Sequence, residues 1–262
     1  LLGFGAPLAY EFANRIDGGF APAARADDLP KGGIIKIAQR VPKLDSPHTF
    51  SWIYDSNCVR QVCGYLTRTG ADNVTRPDLA TWEASEDLKT WTFHIDPKAT
   101  WHKGGAFTAE QAAWNIKHCL DPAVGSSVIG LMKGYMLKDV DTGKLDDKGA
   151  KVMSTELWDA NAIEVKDPGT LILHLQAPQV AVPEHFFHYP FLMLDPAENG
   201  VFAMGSNGTG SFEMTALEVG RKCQFKRIAD RPGHVEELHF IDLGDNPSAV
   251  AAALASKQVD GI

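Results

Sequence analysis

The sequence lacks two features that would place the protein in a membrane or on nucleic acid. No uninterrupted apolar run approaches the roughly 20 residues that a membrane-spanning helix requires, so no such helix is predicted. Basic residues are outnumbered, with 25 Lys and Arg against 33 Asp and Glu and a net charge of −8. Because nucleic-acid phosphates demand a basic protein face, this balance excludes a nucleic-acid partner.

Cysteine is also scarce, at 4 residues in a chain of 262. No two cysteines have Cys-x-x-Cys spacing, and no zinc-type spacing occurs. Cys58 and Cys63 are five positions apart in a segment of helical pattern, where a disulfide would distort the helix. We therefore expect small buried thiols, and the cysteines do not identify the cellular compartment.

What the chain does contain is the composition of a globular protein, 44% hydrophobic and 22% charged. Its first residues, Leu1–Tyr10, are largely apolar, and Ala24–Asp28 is typical of a signal-peptidase site. We expect an exported protein in which residues 1–33 are retained as an export or anchor segment. A leader remnant is the alternative interpretation.

Three helices are predicted from apolar spacing and capping signals. Ser51–Thr67 carries apolar residues at helical intervals, and Pro247–Ser256 is rich in alanine. Between them, Thr108 and Gln111 have capping-box spacing, and the helix that they begin ends at Asp121-Pro122.

Strands and hairpins account for much of the remaining chain. A polar turn at 87–89 precedes an alternating strand, Asp167-Pro168-Gly169 joins two strands of a hairpin, and residues 143–149 are predicted as an exposed loop. The predicted strands are 33–38, 90–95, 161–165, 170–175 and 236–243, with another entered from the glycine-rich turn 206–212. This order indicates a mixed α/β fold, with hairpins inserted into an open sheet.

Four segments, in the same order along the chain, resemble signatures of one family of extracytoplasmic receptors. They are Pro77–Asp87 (PDLATWEASED), Ala99–Glu110 (ATWHKGGAFTAE), Gly208–Phe212 (GTGSF) and Asp245–Ile262 (DNPSAVAAALASKQVDGI). Together they resemble the peptide/nickel-type solute-binding proteins of ABC importers, known as family 5 or cluster C. The chain departs from the signatures at Lys103 and Ser211, where the family usually has Asp and Pro.

The resemblance implies a type II-like periplasmic-binding-protein lobe of mixed α/β architecture, formed by residues 34–262. Residues 34–45 and 179–262 are expected to form the core sheet, and residues 46–178 an inserted, hairpin-rich subdomain. Family members continue into a second lobe. The chain is therefore expected to comprise the first lobe only, with the second lobe beyond Ile262 or absent.

The resemblance also indicates which residues face the ligand cleft. The loop after the first strand, with Arg40, Val41, Pro42 and Lys43, is expected to border it, and an extended peptide could pair with the backbone of this loop. The alternative for Arg40 and Lys43 is solvated surface charge. Asn207, Gly208 and Thr209 could direct backbone N–H groups at a ligand. Glycines required only by a tight turn are the alternative there.

His185 and His188 could bind a metal ion, or they could simply pack against neighbouring side chains. Two histidines three apart on a helix can chelate, but a metalloprotease motif needs them four apart with an intervening Glu. The surrounding aromatic residues favour packing. His102 is interpreted as a structural residue and not as a catalytic base.

The leading hypothesis is a periplasmic solute-binding receptor for peptide-like solutes, with the membrane subunits of an ABC importer as partners. It needs no cofactor or metal and performs no catalysis. Attachment to the outer face of the inner membrane is a further expectation. The alternative is a structural or assembly subunit of a membrane complex that reuses the lobe fold and is anchored through the N-terminal segment. A metal hydrolase is the third hypothesis.

Overall fold

A computed structural model describes residues 31–262 of the chain. The predicted apolar segment 1–10 and the processing site at 24–28 lie outside the described residues. The helices are α1 Ile53–Val59, α2 Ala109–Leu120, α3 Val128–Met136, α4 Val182–His185 and α5 Pro247–Ala255, with short 3-10 turns at Pro47–Thr49 and Pro196–Glu198. The strands are β1 Ile34–Ala38, β2 Thr67–Thr69, β3 Thr75–Pro77, β4 Ala80–Ala84, β5 Thr90–Ile95, β6 Leu137–Leu145, β7 Lys151–Leu157, β8 Ile163–Asp167, β9 Thr170–His174, β10 Phe212–Glu218, β11 Lys222–Arg227 and β12 Glu237–Ile241.

The sheet that positions the candidate site has the strand order β1-β12-β11-β10. β1 runs parallel to β12, whereas the β12–β11 and β11–β10 pairs are antiparallel. Gly261 forms a further parallel bridge to Ile37. As a result, the carboxyl ends of β1 and β12 and the turn between β10 and β11 meet at one edge of the sheet.

A second sheet, β4-β5-β9-β8, is entirely antiparallel. Its β4–β5 hairpin turns at the predicted polar residues 87–89, and its β8–β9 hairpin turns at the predicted Asp167-Pro168-Gly169. Helix α2 packs on β8 and β9. The alternating pattern of β5 buries Trp91, Phe93 and Ile95 on one face, as a half-buried strand requires.

The predicted capping box of α2 is confirmed. The Thr108 amide donates to Gln111 Oε1 at 2.9 Å, and the Thr108 side chain accepts from the backbone of Gln111. This satisfies two amide groups that the first helical turn leaves without partners.

The prediction of a helix through Thr67 is wrong beyond α1, which ends at Val59. Downstream of α1, the backbone bonds to the segment 209–212 instead of continuing the helix. Gly210 N donates to Val62 O at 2.7 Å, and Phe212 N donates to Gln61 O at 3.0 Å. These long-range bonds replace helical ones, and a local apolar spacing does not reveal them.

The predicted loop 143–149 lies at the tip of a ribbon that the sequence pattern did not show. β6 and β7 form a two-stranded antiparallel sheet that is largely exposed along its length. Because neither face of the ribbon is covered, its residues do not alternate between apolar and polar.

One large hydrophobic cluster joins the two four-stranded sheets, since it contains Phe93 and Leu171 of one and Phe225 and Phe240 of the other. All four cysteines are buried and free, as expected. No helix in the described part of the chain is long and apolar enough to span a membrane. The division into core sheet and inserted subdomain stays a prediction.

Candidate functional site

A groove of about 430 Å³ lies at the edge of the first sheet where β1 and β12 end. In open α/β sheets, ligands bind in crevices outside the carboxyl ends of the strands. We call this feature the carboxyl-edge groove. Its lining residues are Arg40, Val41, Pro42, Trp52, Tyr54, Asp55, Val219, Gly220, Asp242 and Asp245.

Asp242 anchors the polar side of the groove. Its Oδ2 accepts from Val41 N at 2.8 Å and from Arg40 Nε at 3.2 Å, and its Oδ1 accepts from Gly244 N at 2.9 Å. Burial alone would raise the pKa of Asp242, but the two amides and Arg40 outweigh it and hold the pKa below its ordinary value. The carboxylate therefore fixes the loops after β1 and β12 against each other.

Arg40 bridges two carboxylates across the groove. Its guanidinium also bonds to Asp245, and these contacts raise the pKa of Arg40, with the Asp245 hydrogen bond the largest cause. The Arg40 side chain remains 44% exposed, so its guanidinium keeps a face toward solvent. This is the position from which it could meet a ligand carbonyl or carboxylate.

The opposite side of the groove is aromatic and exposed. Trp52, which precedes the first residue of α1, is 64% exposed, and Tyr54 is 38% exposed. Asp55 lies beside them, with its pKa raised by burial. Val219, in the β10–β11 turn, is 60% exposed. Exposed apolar surface next to a few fixed polar groups is the composition of a small-molecule or peptide site.

The structure places three of the predicted loop residues, Arg40, Val41 and Pro42, in the carboxyl-edge groove. Lys43 does not line it, and its ammonium pairs with Asp45 Oδ2 at 2.9 Å. Within this loop, Val41 is not available for the expected strand pairing with a peptide, because Val41 N donates to Asp242 Oδ2 and Val41 O accepts from Gly220 N at 2.8 Å. Both backbone groups of Val41 are thus engaged within the protein.

Asn207, Gly208 and Thr209 lie away from the groove. The Asn207 side chain donates to Asp195 Oδ2 at 2.7 Å and accepts from Lys103 N at 3.0 Å. Thr209 Oγ1 accepts from Gly64 N at 2.9 Å. This segment therefore ties the loop after α1 to the fold, and the two predicted sets of ligand contacts do not come together. Thr209 instead lines a separate cavity of about 650 Å³, which Arg60 and Arg231 also border.

Gly208 shows why this tie needs glycine. A Cβ there would lie 2.1 Å from Val62 O, far inside van der Waals contact. The close approach of two backbones thus accounts for the glycine without a ligand.

Sequence reasoning missed the aromatic side of the groove and its acidic anchors. A usable signal existed for Asp242 and Asp245, since Asp242 lies at the end of the predicted strand 236–243, Asp245 follows that strand, and carboxyl ends of strands bear ligand sites. Trp52 and Tyr54 carried no such signal. They were read as part of a helix longer than α1, and helical spacing alone does not show which side chains remain exposed.

The histidines are held by contacts within the protein. His185 Nδ1 bonds to Tyr135 Oη at 2.6 Å, and the His188 ring stacks on Tyr189. His102 Nε2 bonds to Gly210 O at 2.8 Å, consistent with its structural interpretation. Within residues 31–262, no group of three or more His, Cys, Asp or Glu side chains could hold a metal ion.

The fold is that of a periplasmic-binding-protein lobe, as solved structures show. It matches *Haemophilus influenzae* OppA in complex with RPPGFSPFR at a TM-score of 0.69 and 20% identity, over 88% of this chain and 45% of that one. It matches DppA from *Helicobacter pylori* in complex with the peptide STSA at a TM-score of 0.69 and 16% identity, over 88% and 46%. The predicted fold class is confirmed.

The family follows from the sequence comparison. Residues 75–262 match the model of the bacterial extracellular solute-binding proteins, family 5. The chain belongs to this family, as the resemblance predicted. The periplasmic oligopeptide-binding protein OppA of *Haemophilus influenzae* is 23% identical over 259 residues, covering 91% of this chain and 46% of that protein. The chain thus spans about half the length of this relative, which fits the predicted first lobe.

Proposed function

We propose that the protein is the extracytoplasmic solute-binding receptor of an ABC importer and that it takes peptides or peptide-like solutes. The observation that carries this proposal is the carboxyl-edge groove, placed where α/β folds bind ligands, in a chain of family 5. Two similar folds were solved with peptides bound, RPPGFSPFR in one and STSA in the other. A periplasmic location and importer membrane subunits as partners belong to the same proposal.

The groove supplies one wall of such a site. A good site buries about 70–90% of its ligand, which an open groove cannot do alone. Closure of a second lobe over the groove would remove the remaining ligand surface from water, and the importer would read the closed state. In this arrangement, residues 34–262 form the first lobe.

Each side of the groove has a distinct role in the proposal. Trp52 and Tyr54 present exposed aromatic surface that apolar ligand side chains would cover. Arg40, already fixed by Asp242, would donate to a ligand carbonyl or carboxylate without first losing side-chain entropy. The site binds without performing chemistry. No observation favours the alternative of an assembly subunit of a membrane complex.

The test is calorimetric titration of the full-length protein with RPPGFSPFR, STSA and a mixed peptide pool. We expect saturable binding and a loss of about tenfold or more in affinity for Trp52→Ala, because a central aromatic side chain commonly dominates such sites. Val201→Ala is the matched control, since Val201 is 56% exposed and lies outside the groove. Absence of binding by every peptide would contradict the proposal, as would equal losses in both variants.

A further inference from the structure

The arginines of residues 31–262 divide into two groups by their partners. Arg40, Arg76 and Arg221 each form a salt bridge with Asp or Glu. The remaining four do not pair with any carboxylate in the described residues, and they are Arg60, Arg68, Arg227 and Arg231. All four of these line one connected depression.

The depression is made of three adjoining cavities. Arg60 lines the first two, of about 650 and 470 Å³, and Arg68 lines the second. Arg231 lines the first and also the third, of about 640 Å³, which Arg227 borders. We call this feature the arginine depression. It lies near the carboxyl end of β11, at the opposite edge of the sheet from the carboxyl-edge groove.

Arg60 is the most unusual member. It is partly buried, and its backbone N–H donates to Ser56 O at 2.8 Å, but its guanidinium makes no hydrogen bond or salt bridge within residues 31–262. Burying an unpaired cation is costly. Burial lowers the pKa of Arg60 from its ordinary value. Its position directly after α1 puts it near the weakly negative carboxyl end of that helix, which offsets only part of a full charge.

The Arg231 guanidinium also has no carboxylate partner, because its hydrogen-bond acceptors are neutral oxygens. Its guanidinium donates to Thr209 O at 3.0 Å and to Thr100 O at 2.7 Å. These bonds hold the group rigidly at the wall of the cavity that Arg60 also lines. Two guanidinium groups that form no ion pair within residues 31–262 therefore border the same cavity, which Asp78, Asp96 and Asp230 also line.

The carboxylates of the depression do not cancel its charge. Asp78, Asp96 and Asp230 line it, against the four arginines, Arg76 and the ammonium groups of Lys31 and Lys98. Seven cations against three carboxylates, with Arg76 paired to Asp72, leave a local excess of positive charge in a chain whose net charge is −8. Such a concave positive region attracts and concentrates anions.

We infer that the arginine depression is a binding site for a phosphate-type oxyanion, either free phosphate or the phosphate of a lipid headgroup, with Arg60 and Arg231 as its principal donors. The planar guanidinium fork matches phosphate oxygens in pairs, and a dianion would neutralise both groups at once. The seven residues of α1 place Arg60 about 10 Å from the aromatic side of the carboxyl-edge groove. The two sites are therefore separate.

Calorimetric titration with sodium phosphate, in a phosphate-free buffer at constant ionic strength, tests the inference. We expect saturable binding that Arg60→Gln weakens by about tenfold or more, because a charge-assisted hydrogen bond is lost. Arg221→Gln is the matched control and should change affinity less than about twofold, since Arg221 is exposed and already paired with Glu218.

A parallel arm identifies the source of the phosphate. Sedimentation with vesicles of phosphatidylglycerol in phosphatidylcholine, against phosphatidylcholine alone, should show Arg60-dependent binding if a lipid headgroup is the ligand. Arg60→Lys covers the case in which Arg60→Gln fails to fold. It keeps the positive charge but loses the planar guanidinium group, so it should bind phosphate more weakly than the unaltered protein. The inference is overturned if the unaltered protein binds neither phosphate nor phosphatidylglycerol. It is also overturned if Arg60→Gln and Arg221→Gln behave alike.

Discussion

Acidification should destabilise the protein through His48, a histidine that the fold buries in its neutral form. His48 is 1% exposed, and Nε2 lies 3.0 Å from Leu192 O. Because a carbonyl oxygen only accepts, Nε2 carries the proton. Nδ1 of His48 then carries no hydrogen and accepts a hydrogen bond from the Nδ1–H of His118 at 2.8 Å. Protonation of His48 at Nδ1 would place two N–H donors opposite each other and break the hydrogen bond with His118.

Burial, and then the nearby charge of His118, lower the pKa of His48 from 6.5 to about 4, against the raising effect of Leu192 O. The folded-state pKa lies below the unfolded-state value, so the unfolded chain takes up the proton first. The stability that neutral His48 provides is thus present above pH 6.5 and is lost as the pH falls toward 4. Linkage gives a loss of about 2 kcal/mol in the free energy of unfolding between pH 7 and pH 5.

Urea unfolding at pH 7, 6 and 5 measures this loss. His48→Gln cannot titrate but can still donate an N–H to Leu192 O, so its stability should fall with pH by about 2 kcal/mol less than that of the unaltered protein. Burial also lowers the pKa of His102, His185 and His188, but these groups remain in both proteins, and their contributions largely cancel in the comparison. Burial lowers the pKa of His118 too, and because His118 bonds to His48, its contribution belongs to the measured difference. His94→Gln, at a histidine whose side chain is 49% exposed, is the control and should keep the full pH dependence. Equal pH dependence of the His48→Gln variant and the unaltered protein would refute the reasoning.

Three further predictions concern stability and are checked by the same unfolding measurement. Gly208→Ala should destabilise by about 2–3 kcal/mol, because its Cβ would meet Val62 O at 2.1 Å. Gly134→Ala, in α3 with open space around the added Cβ, should instead stabilise by about 0.5–1 kcal/mol, and a loss there would contradict the helix assignment. Asn115→Ala should cost about 3 kcal/mol, since the buried Asn115 amide bonds to both Leu194 O at 2.9 Å and Leu194 N at 2.8 Å, and an unchanged midpoint would show that water replaces these bonds.

Local chemistry made several elements predictable. The capping box at Thr108 and Gln111 and the Asp167-Pro168-Gly169 turn each depend on residues within a few positions of one another. The family could likewise be predicted from four short motifs, because they occur in the family's order along the chain. The helix after Ser51 was overextended, because its end is set by bonds to residues 209–212, well over a hundred positions away.

Only one of the loops that form the candidate site could be predicted from the sequence. The loop with Arg40 was expected at the cleft, but its acidic partners lie about 200 positions further along the chain. Only the parallel pairing of β1 with β12 brings the two loops together. The Asn207–Thr209 turn was read as a candidate ligand contact because its residue types suit that role. What packs against such a turn decides its function, and here it is the loop after α1.

The sequence by itself determined the fold class, the family, most helices and hairpins, and the buried state of the cysteines, because each of these depends on local patterns or on composition. The tertiary structure alone decided which side chains meet. It assembled the carboxyl-edge groove from three separate loops and the start of α1, turned Asn207 and Thr209 inward, and gathered the unpaired arginines into one depression. The physical reason is that a binding surface depends on long-range strand pairing and on which charges find partners. Neither is encoded in the spacing of neighbouring residues.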